Sequence, residues 1–62
     1  MKETAWRHEQ NLIVHSCRRM RDAGDMEAEL QNQLKLFEEA ALPTAEERNR
    51  MEQEVRFRLG LT

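Results

Sequence analysis

The fold depends most on the stretch WRHEQNLIVHSCRRM, residues 6–20, which holds the only Trp, the only Cys and both His residues. It also contains a run of three large aliphatic residues at 12–14. At 100° per residue these positions form an amphipathic helix, with Thr4 placed to cap its start. We therefore predict a helix over about residues 4–23 that supplies most of the core. Its predicted apolar stripe consists of Trp6, Gln10, Ile13, Cys17 and Met20.

A second helix is predicted over about residues 26–41. Gly24 can take the left-handed conformation that closes a helix, and Asp25 can cap the next one. Such a short connection predicts an antiparallel helical hairpin. The apolar residues that share one face of this helix are Met26, Leu30, Leu34, Phe37 and Ala41.

A third helix is predicted over about residues 45–59. Pro43 ends the preceding helix, and Thr44 with Glu47 forms the Thr-x-x-Glu pattern of a capping box. Gly60 can close the helix in the left-handed conformation. The predicted core stripe is Met51, Val55 and Leu59. Together these patterns predict an all-α fold of three helices, a hairpin plus a third helix, in one domain that spans residues 1–62.

The composition predicts self-association. A domain of 62 residues buries only about 60% of the surface that its unfolded chain exposes, so its core is marginal. Small domains often compensate with disulfides, metals or oligomerisation. One Cys cannot form an intrachain disulfide, and no cluster of metal ligands is apparent. We therefore expect a homodimer, forming a dimeric helical bundle.

The charge pattern is that of a mixed surface. Charged residues make up 35% of the chain, yet the formal net charge is only −2. We see no apolar stretch of the roughly 20 residues that span a membrane, and no signal peptide. We expect a cytoplasmic protein without membrane contact.

The histidine and cysteine side chains, which are able to take part in catalysis or metal binding, do not form a recognisable site. His8 and His15 are separated by about 10 Å along the helix axis, too far to bind one ion. Cys17 has no general base at helical spacing to activate it. The sequence therefore predicts a non-enzymatic protein with no cofactor and no metal.

Arg18, Arg19 and Arg21 form the only basic cluster, a candidate contact for an anion or for an acidic partner. Alternatively, the same arginines stabilise the helix itself, because cations near a helix C-terminus interact favourably with the helix dipole. A dimer would bring two copies of the cluster together, which leaves open a DNA-binding regulator as the alternative function. The low overall positive charge argues against that alternative.

Some apolar residues lie off the predicted core stripes. Several such residues in a small chain favour a contact surface, because monomers rarely expose a contiguous apolar patch without a use for it. The first expected use is a homodimer interface, and the second is a groove for another protein's helix. These candidate interface residues are Leu12, Val14, Leu36, Phe57 and Leu61.

The chain as a whole resembles the small accessory proteins of lambdoid temperate bacteriophages. The resemblance rests on its small all-helical character, its first residues Met1-Lys2-Glu3-Thr4, its capping segment at 44–48 and its last residues, 58–62. It implies a small regulatory protein that acts on host or phage machinery around the choice between lysis and lysogeny, and it transfers no functional residue. The expected function is thus regulatory or adaptor activity through protein–protein contacts.

Overall fold

The computed structural model describes residues 6–61, which form three α-helices and no strand. They are α1 (Arg7–Arg18), α2 (Ala23–Ala41) and α3 (Ala45–Leu59). The prediction of an all-helical fold with three helices is confirmed. No helix in the described part of the chain is long and apolar enough to cross a membrane.

The connection between α1 and α2 differs from the prediction. The carboxylate of Asp22 accepts hydrogen bonds from the backbone N–H groups of Gly24, at 3.0 Å, and Asp25, at 3.4 Å. Asp22 is therefore the N-cap of α2, which starts three residues earlier than predicted. Gly24 lies in the first turn of α2, so its predicted left-handed role is wrong. α1 ends at Arg18 rather than near Ala23, and the predicted cap at Thr4 lies outside the described residues.

The end of α2 at Ala41 is as predicted. Leu42 follows in the left-handed conformation, with φ 51° and ψ 52°, and its N–H donates to the carbonyl of Glu38 at 3.1 Å. A left-handed conformation costs a residue with a Cβ roughly 1–2 kcal/mol. The side chain of Leu42 is 86% exposed, so no burial of this leucine offsets that cost.

Both ends of α3 match the prediction. The N–H of Glu47 donates to the Thr44 hydroxyl at 3.1 Å, and the Thr44 N–H donates to the Glu47 carboxylate at 2.9 Å, which completes the capping box. Gly60 ends the helix with φ 74°, and the N–H of Leu61 donates to the carbonyl of Arg56 at 2.9 Å. This closure folds Leu61 back against the core, where it is half-buried.

The core lies between the three helices and contains side chains from each of them. The predicted stripe of α3 is confirmed, and so is that of α2 except for Met26, which is half-buried and not part of the core cluster. Val14, however, is only 1% exposed, so its predicted place off the core is wrong. α1 packs against both α2 and α3. Ile13 and Val14, which are about 100° apart around the helix, are therefore both buried. The buried side chains are Ile13, Val14, Cys17, Leu30, Leu34, Phe37, Met51 and Val55.

Candidate protein-contact surfaces

Charged side chains form contacts between α2 and α3. The guanidinium of Arg56 donates to the carboxylates of Glu27, at 2.8 Å, and Glu52, at 2.9 Å. Arg48 pairs with Glu38 at 2.6 Å. The hydrogen bonds from Arg56 lower the pKa of Glu27, and the same contacts raise the pKa of Arg56. These contacts identify the side of α2 that faces α3.

Polar side chains also join α1 to α3. Gln10 donates to Glu54 at 2.6 Å, and Arg58 donates to the side-chain oxygens of Gln10, at 2.7 Å, and Asn11, at 2.9 Å. The indole N–H of Trp6 donates to Glu47 at 3.1 Å. These contacts identify the side of α1 that faces α3.

The indole ring of Trp6 also connects α1 to α2. It meets the ring of Phe37 edge to face, with centroids 5.2 Å apart and an interplanar angle of 86°. Such a pair adds about 0.5–1.5 kcal/mol beyond the area that it buries. Trp6 therefore contacts both neighbouring helices at the start of α1.

Leu12 and Leu36 lie on the surface where α1 meets α2. Around its helix, Leu12 is separated by about 100° from Asn11 and 160° from Gln10, and Leu36 is separated by about 160° from Glu38, so both leucines point away from the sides that face α3. They are 54% and 51% exposed. Ser16 and Gln33, on the same sides of their helices, are half-buried. We call this surface the α1–α2 face. It consists of Leu12, Ser16, Gln33, Leu36 and Ala40 together with Glu29, whose carboxylate accepts a hydrogen bond from the Gln33 side chain at 2.7 Å.

Phe57 lies on a different surface, between α1 and α3, and is 78% exposed. It borders a shallow depression of 330 Å³ that it shares with Gln10 and Glu54. The same two polar residues also line a larger groove of 520 Å³. The charged residues along that groove are of both signs: Arg7, Arg50, Glu46, Glu47 and Glu54. The candidate interface residues are thus divided between two faces of the molecule.

The other two candidate interface residues do not belong to an open surface. Val14 is in the core, and Leu61 is half-buried against it. Leu42 is a large hydrophobic residue that is exposed, although it was not among the predicted interface residues. The available signal was its position directly before Pro43, because the residue before a proline is disfavoured in the helical conformation and usually ends the helix.

The arginine cluster lies at the hairpin end of α1. Arg18, Arg19 and Arg21 are exposed, and no ion pair in residues 6–61 includes them. Arg18 donates to the backbone carbonyl of Arg58 at 3.4 Å, beside the C-terminus of α3. Arg18 therefore provides positive charge at the C-terminal ends of both α1 and α3, where helix dipoles favour it.

The histidines and the cysteine are separate from one another. His8 and His15 are exposed, and no group of three or more potential metal ligands occurs among the described residues. Cys17 is fully buried. Burial, with a smaller contribution from Glu29 and Glu27, raises the pKa of its thiol. The Cys17 side chain consequently packs as a small apolar group.

We compared the chain with protein-family models, with curated protein sequences and with solved structures, and it matched none of them.

Proposed function

We propose that this protein is a small, non-enzymatic regulatory or adaptor protein that acts through protein–protein contacts and self-associates. One observation carries the proposal: Leu12, Leu36 and Phe57 are each more than half exposed on helices that already contribute to a core. Burial of a large apolar side chain is worth about 1.5–3 kcal/mol. Much of that free energy is still to be gained at these three positions by contact with another protein.

The environment of Cys17 supports a contact function over a catalytic one. A thiolate is the reactive form of cysteine, and burial disfavours it. Cys17 is also separated from solvent by its neighbours in the core.

The proposed setting follows from the resemblance to accessory proteins of temperate phages. In that setting the protein binds a component of the host or phage machinery in the cytoplasm and modulates phage or host development. Exposed apolar residues on a small helical domain suit such a contact, because another protein's helix can lie across them.

A capture experiment tests this proposal. Immobilised wild-type protein and a Leu36→Ala, Phe57→Ala double variant are exposed to the same bacterial lysate, and retained proteins are quantified. A matched control carries Asn32→Ala and Asn49→Ala, two exposed polar positions on the same helices that do not line the depression beside Phe57. We expect the control to retain what the wild type retains and the double variant to lose it. Equal retention by all three proteins would contradict the proposal.

The arginine cluster supports a second candidate function, a dimeric DNA-binding regulator. Arg18, Arg19 and Arg21 are exposed and lack a carboxylate partner in the described part of the chain. Phosphate contacts lose affinity steeply as salt rises. Titration with duplex DNA at two salt concentrations tests this candidate, and lack of binding at the lower concentration would eliminate it.

A further inference from the structure

The carboxylate of Glu47 connects the start of α3 to the start of α1. Its Oε1 atom accepts hydrogen bonds from the backbone N–H of Thr44, at 2.9 Å, and from the Thr44 hydroxyl, at 3.1 Å. Its Oε2 atom accepts from the indole N–H of Trp6 at 3.1 Å. The two oxygens of one side chain therefore bind two different elements, the capping box of α3 and the N-terminal end of α1.

The side chain of Trp6 anchors the start of α1 from outside the helix. Trp6 takes the N-cap position, yet its side chain forms no capping hydrogen bond with α1. The free N–H groups at a helix start need an acceptor, whereas an indole N–H is only a donor. The indole instead contacts Glu47 of α3 through its N–H and the ring of Phe37 of α2 through its edge-to-face packing. Both neighbouring helices thus hold this end of α1 through one side chain.

The indole also separates the Phe37 ring from the 520 Å³ groove between α1 and α3. Trp6 lines that groove together with Met51 and Glu47. Its other contact is with Phe37, which is only 6% exposed and belongs to the core. Displacement of the indole would therefore extend the groove to the Phe37 ring.

We propose that Trp6 and Glu47 form a latch, a conformational device in which one carboxylate couples the docking of α1 to the capping box of α3. Helix ends open more readily than helix centres, and here the opening requires the indole to leave Glu47. The open latch releases the first turn of α1 and exposes the Phe37 ring. The ion pairs of Arg48 and Arg56, which join α2 to α3, are remote from the indole and stay intact.

The number of acceptor oxygens distinguishes this latch from an ordinary helix cap. Glutamine has nearly the same shape as glutamate but only one acceptor oxygen. At the third position of a helix, glutamine completes a capping box as glutamate does. Glu47→Gln can therefore keep its contact with Thr44 or its contact with Trp6, but not both, because its amide N–H group would face a second donor.

A double-mutant cycle tests the coupling. Urea titration gives the equilibrium constant of unfolding for the wild type, Glu47→Gln, Trp6→Phe and the double variant. We expect Glu47→Gln to raise the constant by about tenfold or more in the wild type, since it removes a hydrogen bond to a charged acceptor. In the Trp6→Phe background, which keeps a ring beside Phe37 but has no indole N–H, the increase should be less than about threefold.

The cycle isolates the contact between the indole and the carboxylate. Effects of the Glu47 charge that do not involve the indole cancel between the two backgrounds. An equal effect of Glu47→Gln in both backgrounds would therefore overturn the coupling.

Glu54→Gln is the matched control. Glu54 also faces α1 from α3, where it accepts from Gln10 at 2.6 Å, and it lies about 10 Å along the helix from Glu47. Substitutions this far apart usually add, so Glu54→Gln should have the same effect with and without Trp6→Phe. If its effect depended on Trp6 as strongly as that of Glu47→Gln, the specific role of Glu47 would be overturned.

A second measurement observes the latch directly and retains the indole. Trp6 is the only Trp, so its fluorescence reports on this contact alone. We expect Glu47→Gln to shift the emission to longer wavelength and to increase quenching by acrylamide, while the helical circular dichroism signal and the emission of Glu54→Gln stay as in the wild type. Emission of Glu47→Gln that equals that of the wild type would overturn the latch, even if Trp6→Phe proved too unstable for the cycle.

Discussion

Leu30→Ala tests whether the centre of the core is where the structure places it. The four fully buried side chains, Val14, Cys17, Leu30 and Val55, come from all three helices, and Leu30 is the largest of them. Truncation of a buried leucine costs about 2–5 kcal/mol, and a domain of this size has a total stability of about 3–9 kcal/mol. Taking the middle of both ranges, we expect Leu30→Ala to remove roughly half of the stability and to lower Tm by at least about 10 °C.

Leu36→Ala is the matched control, because it makes the same change six residues later in the same helix. Its side chain is 51% exposed, so we expect it to lower the free energy of unfolding of the monomer by less than about 1 kcal/mol. Urea titration followed by circular dichroism at 222 nm measures both variants. The cost of Leu30→Ala should be the same at every protein concentration, whereas the proposed self-association predicts that any larger cost of Leu36→Ala grows with concentration.

Two results would refute this reasoning about the core. One is a cost of Leu30→Ala similar to that of Leu36→Ala at low protein concentration. The other is a Leu30→Ala variant whose urea unfolding keeps both the cooperativity and the midpoint of the wild type. In that case the core would have another centre.

Three further predictions concern single contacts. Thr44→Ala should cost about 1 kcal/mol in urea titration, and Thr44→Ser should cost much less because it keeps the capping hydroxyl; equal costs would argue against the capping box. Cys17 should react with a thiol reagent far more slowly in native buffer than in urea, and equal rates would show that the thiol is accessible. Glu27 has a lowered pKa in the folded protein, so its contact with Arg56 stabilises the fold above the ordinary carboxyl pKa of about 4.3 and loses that effect as pH falls through the lower folded value. The difference in Tm between wild type and Glu27→Gln should therefore narrow from pH 6 to pH 3, and a constant difference would contradict the pairing.

Helix α3 was predictable from the sequence because its boundaries depend on local signals. The hydroxyl of Thr44, the carboxylate of Glu47 and the conformational freedom of Gly60 each act within one turn of the helix end. Such contacts need no information about the rest of the fold. The predicted bounds, 45–59, agree with the structure.

The connection between α1 and α2 was less predictable because two aspartates compete to cap α2. Asp22 takes the N-cap position, with φ −114° and ψ 149°, and Asp25 then lies in the first turn. A carboxylate in the first turn is also favourable, because it interacts with the positive end of the helix dipole. The sequence pattern was consistent with either arrangement, and the presence of Gly24 favoured the wrong one.

The candidate surfaces were predictable in part. The exposure of Leu12, Leu36 and Phe57 followed from their angles on single helices. The burial of Val14 did not, because it requires knowing that α1 packs against two helices at once. Whether the exposed residues bind another chain stays a prediction.

The most direct test of the central claim is a dilution series observed by methyl NMR. We propose that the protein self-associates through the apolar residues exposed on its helices, Leu12, Leu36 and Phe57. The methyl resonances of Leu12 and Leu36 and the ring resonances of Phe57 should then shift or broaden with protein concentration at one or more of these positions, while the methyl resonances of the buried Leu30 and Val55 should change little. Resonances that do not depend on concentration at any of the three exposed positions would contradict the account.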